Sequence, residues 1–201
     1  MPLFPLGVVL LPQNELPLHI FEDRYKEMIG IVLDEQREFG VVLATDEGIA
    51  ATGCTAAISK VMKRYPDGRL DIMAFGVRRF MVKSVNQDKD YLRGEVDFFD
   101  DDHPAAPEDL RNRAVEMASK LRDNTEEGLD PEEPQLSFHL ARRIEDLSFR
   151  QRLLQSRSEL DRLRNLVEFL PGYIARAELI EQLKDVAPRN GHSHLPLPSQ
   201  D

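Results

Sequence analysis

Apolar residues in the first half of the chain come in short runs and alternations, while those of the second half recur at spacings of three and four. Leu6 to Leu11 is a run bounded by Pro5 and Pro12, and Phe39 to Ala44 is another; both have the length of buried strands. Thr55 to Arg64 and Leu70 to Phe75 flank the turn sequence YPDGR, in which Pro66 presets φ and Gly68 accepts a positive one, so the pattern predicts a hairpin. Leu70, Ile72 and Ala74 alternate with Asp71, Met73 and Phe75. Gly76 separates this strand from Arg78 to Val85, and Tyr91 to Phe98 alternates again. Short strands in this order predict an antiparallel barrel or sandwich. One helix interrupts them, with Phe21, Tyr25, Met28, Ile29, Val32 and Leu33 on one stripe and Glu22 and Asp23 in its first turn.

The pattern changes at Phe99 to Pro107, an acidic, proline-containing stretch that suits a linker. A helix is predicted from Pro107, carrying Leu110, Ala114, Met117 and Leu121, and Glu126 to Pro134 reads as a loop. Leu136, Leu140, Ile144 and Leu147 mark a second helix, and Ser148 caps a short third one with Leu153 and Leu154. Ser158 to Asp161 has the form of a capping box, opening a long helix through Leu160, Leu163, Val167, Leu170, Ile174 and Ala177. Pro171 and Gly172 predict a kink or break near Leu170. The expected organisation is a β-rich part over residues 1–104, a helical part over 105–187 and a flexible tail over 188–201.

Composition narrows the function. With 41% hydrophobic and 31% charged residues, the 201-residue chain is that of a globular protein, and its formal charge of −10 disfavours nucleic acid as a general partner. A single cysteine, Cys54, excludes a disulfide framework and any Cys-based zinc cluster, and fits a reducing cytoplasm; a small buried hydrophobe is its expected role. The apolar opening, MPLFPLGVVLLP, has no preceding basic residue and three prolines, and so reads as neither signal peptide nor membrane span.

Five ordered words, PLFPLGVVLLP (2–12), LPLHIFEDRY (16–25), FGVVL (39–43), DGR (67–69) and GVRRF (76–80), resemble the N-terminal domain of the Lon protease family. The match is strong over residues 2–85 and looser beyond. It implies an α+β fold: a PUA-like antiparallel β pseudo-barrel with one inserted helix, followed by a C-terminal helical bundle. The chain resembles the free-standing bacterial members, since it ends at Asp201 without the ATPase and Ser-Lys protease of full-length Lon enzymes. No P-loop sequence occurs, and Ser59 and Lys60, adjacent in a strand, point to opposite faces and cannot act as nucleophile and base. The family implies protein or peptide recognition without catalysis and with no cofactor.

The partners expected are exposed apolar or unfolded protein segments, with the chain serving as adaptor to a Lon-type protease, and a weak homodimer is a further expectation. The peptide-binding candidates are Leu16, Pro17, Phe98, Phe99, Ile174 and Ile180. The alternative is an RNA- or anion-binding face through Lys60, Lys63, Arg64, Arg78 and Arg79, which as alternating strand residues also read as a solvated face. His19 has the position of a satisfied structural histidine rather than a general base, and Glu22, Asp23 and Arg24 form an ordinary helix start. Asp100 to Asp102 with His103 lack the spacing of a calcium loop and read as a solvated acidic linker; His192 and His194 receive no role.

Overall fold

A computed structural model describes residues 1–102, 106–121 and 129–186, with side chains to residue 183. His103, His192, His194 and the tail therefore lie outside the described residues, as does the first part of the Glu126 loop. The elements run β1 (Leu3–Leu6), β2 (Glu15–Ile20), α1 (Asp23–Asp34), β3 (Phe39–Thr45), β4 (Gly48–Arg64), β5 (Leu70–Asn86), β6 (Arg93–Phe98), α2 (Glu108–Ala118), α3 (Leu136–Ala141), α4 (Leu147–Gln155) and α5 (Glu159–Val186).

The strands form one sheet in the order β1-β3-β4-β5-β2, with β6 on the second half of β5. Pro2 bridges Arg93, and the Leu3 N–H donates to the Leu92 carbonyl at 2.8 Å, so β6 meets β1 and the path β1-β3-β4-β5-β6 curls into a pseudo-barrel. Leu3, Val42 and Phe80 fill its interior. All pairs are antiparallel except β1 with β3, which is parallel. The sheet is therefore mixed. β2 stands outside the ring, paired only along the first half of β5, and is the free edge of the sheet.

Several elements differ from the sequence expectation. The Leu6–Leu11 run is not a strand: β1 ends at Leu6, and Leu10 and Leu11 are buried in the loop that follows. Gly76 does not end a strand but lies inside β5, where a Cβ would come 2.1 Å from the Leu11 carbonyl oxygen. The bare glycine lets β5 pass beneath that loop. Phe21 precedes α1 and is 59% exposed, while Tyr25, Met28, Ile29 and Val32 bury the helix. Asp146 rather than Ser148 caps α4, accepting from the Phe149 N–H at 2.8 Å. Ser158 does cap the start of α5, accepting from the Asp161 N–H at 3.2 Å. That helix continues through Pro171, an exposed residue, so the chain is not split into two helices there.

The β and helical parts share one apolar core, and Phe149 stacks on Phe169 with ring centroids 3.8 Å apart where α4 meets α5. A buried ionic cluster ties the same parts together. Arg162 donates from Nε to the Ser137 hydroxyl, from Nη1 to Asp101 and the Ser156 carbonyl, and from Nη2 to Asp101 and Glu159. Arg79 of β5 completes it, reaching Asp101 at 2.5 Å and the Ser156 carbonyl. Asp101 is thus no solvated linker residue. Burial raises its carboxyl, but the hydrogen bonds and charges of Arg162 and Arg79 outweigh that and hold it below the usual aspartate value.

Candidate functional site

The outer face of the sheet is uncovered where β2, β5 and β4 run side by side. Residues abreast in a sheet share a face, and the register sets His19, Asp71 and Lys63 in one row and Pro17, Met73 and Lys60 in the next. Lys60 and Lys63 are three apart and in a regular strand would point to opposite faces. A bulge between Val61 and Lys63, with Met62 as the extra residue, brings both to the same one. Here an open groove of about 550 Å³ is lined by Pro17, Leu18, His19, Met62, Lys63, Asp71 and Ile72. Met62 is 58% exposed, and the exposed ring of Phe21, outside the lining, is stacked on the groove residue His19.

The polar groups of this face are arranged around Asp71. His19 Nδ1 lies 2.5 Å from Asp71 Oδ1, and the Tyr65 hydroxyl donates to Oδ2 at 2.8 Å. These two hydrogen bonds, His19 first, hold the Asp71 carboxyl below its ordinary value. Lys63 and Arg69 rest over the Tyr65 ring at 4.4 and 4.8 Å. Among the described residues Lys60, Lys63 and Arg64 make no ion pair, which leaves cationic side chains beside an apolar groove in a chain of charge −10. Ser59 donates its hydroxyl to the Met73 carbonyl at 3.0 Å, so that proton is spent on backbone.

The residues expected from the sequence fall on separate elements. Pro17 is exposed and lines the groove, whereas Leu16 faces the other way, half-buried against the core. Phe98 is exposed at the end of β6 beneath the Arg78 guanidinium, 4.0 Å from its ring centre. Phe99 is half-buried, with Arg79 and Arg157 over its ring. On α5, Ile174 packs partly against the core, and Ile180 is exposed with Leu179 and Leu183. Of the alternative anion face, Lys60, Lys63 and Arg64 are exposed on β4, but Arg78 pairs with Glu38 at 3.1 Å and Arg79 is 3% exposed inside the ionic cluster. Arg79 therefore does not face solvent. Cys54 is buried, and burial pushes its thiol up to about 12.

Met62, Asp71 and Tyr65 are the residues that sequence reasoning did not single out, while His19, expected as a satisfied structural histidine, is held by Asp71. The YPDGR turn carried part of the signal, because a tight turn sets Lys63 opposite Asp71. Nothing in the sequence placed β2 beside β5.

The comparisons with known proteins bear on the family and the fold. A family model described as the ATP-dependent protease La (LON) substrate-binding domain matches residues 1–182. The chain is 25% identical to Lon protease 2 of Syntrophobacter fumaroxidans over 89% of its own length and 25% of that protein's. It is 24% identical to the Lon protease of Cytophaga hutchinsonii over 92% of its length and 24% of that protein's. It thus spans about a quarter of these relatives. A Lon N-terminal domain protein from Xanthomonas campestris superposes with a TM-score of 0.70 at 30% identity, covering 85% of this chain and 98% of that one. The N-terminal domain of the Mycobacterium avium complex Lon protease, at 14% identity and a TM-score of 0.60 over 85% of this chain and 97% of that one, shares the fold. With pseudo-barrel, helical part and family match over most of its length, the chain belongs to the Lon substrate-binding domain family.

Proposed function

We propose that this protein captures exposed apolar or unfolded protein segments, without catalysis, and presents them to a Lon-type protease as an adaptor. The observation that carries the reading is the open groove beside the free edge strand β2, with Met62 exposed in its lining and Phe21 exposed against His19. A thioether is polarisable and adapts to many shapes, and the groove suits side chains of varied form rather than one ligand. Weak, broadly selective binding follows, because an unfolded segment must be ordered as it docks. No helix among the described residues is long and apolar enough to cross a membrane, and the capture is proposed to take place in the cytoplasm.

The test is fluorescence anisotropy of a labelled, carboxymethylated and permanently unfolded protein titrated with the full chain, alongside its folded, unmodified form. Binding of the unfolded form alone, weakened by Met62→Ser, supports the reading. Equal binding of both forms, or none at high micromolar concentration, refutes it. The adaptor role is read separately, as faster degradation of the same unfolded protein by a purified Lon-type protease when the chain is added.

A further inference from the structure

Resting on the peptide-capture reading, we propose that the groove selects extended segments in which apolar side chains alternate with acidic ones. The apolar side chains enter between Pro17 and Met62, and the acids meet Lys60 and Lys63. The spacing of the cations supports this. Lys60 and Lys63 stand in rows two β5 residues apart, opposite Met73 and Asp71, and two strand residues rise about 6.7 Å, which is also the distance between alternate side chains of an extended peptide. A segment lying flat along β5 turns its odd side chains toward one neighbouring strand and its even ones toward the other. One set then faces Pro17 on β2, and the other faces β4, where Met62 stands between Lys60 and Lys63.

Charge complementarity points the same way. The carboxylate oxygens of Asp71 are taken by His19 and Tyr65, and neither lysine has an ion-pair partner among the described residues. Lys60 faces Met73, and Lys63 stands opposite the Asp71 carboxylate and partly offsets its charge, so an incoming carboxylate meets two cations of which Lys60 has no acid abreast of it. Nucleic acid fits less well, because the Tyr65 ring already carries Lys63 and Arg69, Phe21 already stacks on His19, and a charge of −10 repels a phosphate backbone.

Three labelled Gly/Ser-based peptides of equal length, with Leu alternating with Glu, with Gln or with Lys, test this by anisotropy against the full chain at low and physiological salt. The Glu peptide is expected to bind about 2- to 30-fold tighter than the Gln peptide, the range for two exposed charge pairs. The Lys peptide binds weakest. Added salt narrows the spread. The exposed double substitution Lys60→Gln/Lys63→Gln brings the Glu peptide's affinity to that of the Gln peptide, and Met62→Ser weakens both. Equal binding of the Glu and Gln peptides, or a preference that survives the double substitution, overturns the acidic specificity and leaves capture standing. Failure of every peptide and of the unfolded protein removes both. Displacement of the Glu peptide by a single-stranded RNA whose binding depends on the same lysines also overturns it.

Discussion

Replacing Arg162 by Met tests whether the buried ionic cluster holds the two parts of the molecule together. Arg162 is 0% exposed and satisfies all five of its N–H groups on Ser137, Asp101, Ser156 and Glu159. Burial opposes its charge, and the hydrogen bonds and charges of Asp101 and Glu159 more than offset that, leaving the guanidinium above its ordinary value. With Arg79 the cluster is neutral, two cations against two carboxylates. Met keeps most of the stem volume but leaves Glu159, itself 0% exposed, with only Ser137 as a hydrogen-bond partner and no cation against it. Removing one member of a buried pair costs about 3–5 kcal/mol, since the remaining charge is left uncompensated. For a chain of this size that lowers Tm by about 6–20 °C. Because the chain has no Trp, urea unfolding is followed by far-ultraviolet circular dichroism. Adding Glu159→Gln removes the stranded charge, so the double variant is expected to be more stable than Arg162→Met alone, a coupling that a double-mutant cycle reads directly. A cost below about 1 kcal/mol for Arg162→Met, or a double variant no more stable than the single, refutes the argument.

Asp101 gives the cluster a pH signature. Its folded-state carboxyl lies below its unfolded value, so its contribution is fully present above the ordinary aspartate range and is lost as pH falls from there through the lower folded value. Urea midpoints measured against pH should show this acid loss diminished in Asp101→Asn, and an unchanged acid limb in that variant would contradict it. Cys54, with its thiol pushed up to about 12 by burial, should resist iodoacetamide until the chain unfolds; rapid labelling of the native protein would sink this reading. Gly76→Ala drives a Cβ against the Leu11 carbonyl and should cost about 3 kcal/mol in urea unfolding, whereas an unchanged midpoint would mean that the loop moves aside freely. Phe21→Ser should leave that midpoint within about 0.5 kcal/mol of the parent, since its ring is mostly exposed, and a larger loss would show that the ring packs on the fold.

Much of the fold was legible in the sequence because its signals are local. The hairpin follows from Pro66 and Gly68, which shows φ of +86°, the stripe of α1 from Tyr25, Met28, Ile29 and Val32, and the start of α5 from the Ser158 cap. These depend on neighbours within a turn or two of chain, which is the range over which propensity and periodicity act. The ordered words carried the family in the same way. What tertiary structure decided is every contact between distant residues. The pairing of β2 with β5, and a bulge at Met62 that turns Lys60 and Lys63 to one face, created the groove. The docking of α5 drew Asp101 and Arg79 inward, although an acidic run after β6 and an arginine pair in a strand both read as solvated surface. A charged residue is legible as exposed only while no partner of opposite sign is folded against it, and the partners here are 22 and 61 residues apart in the chain.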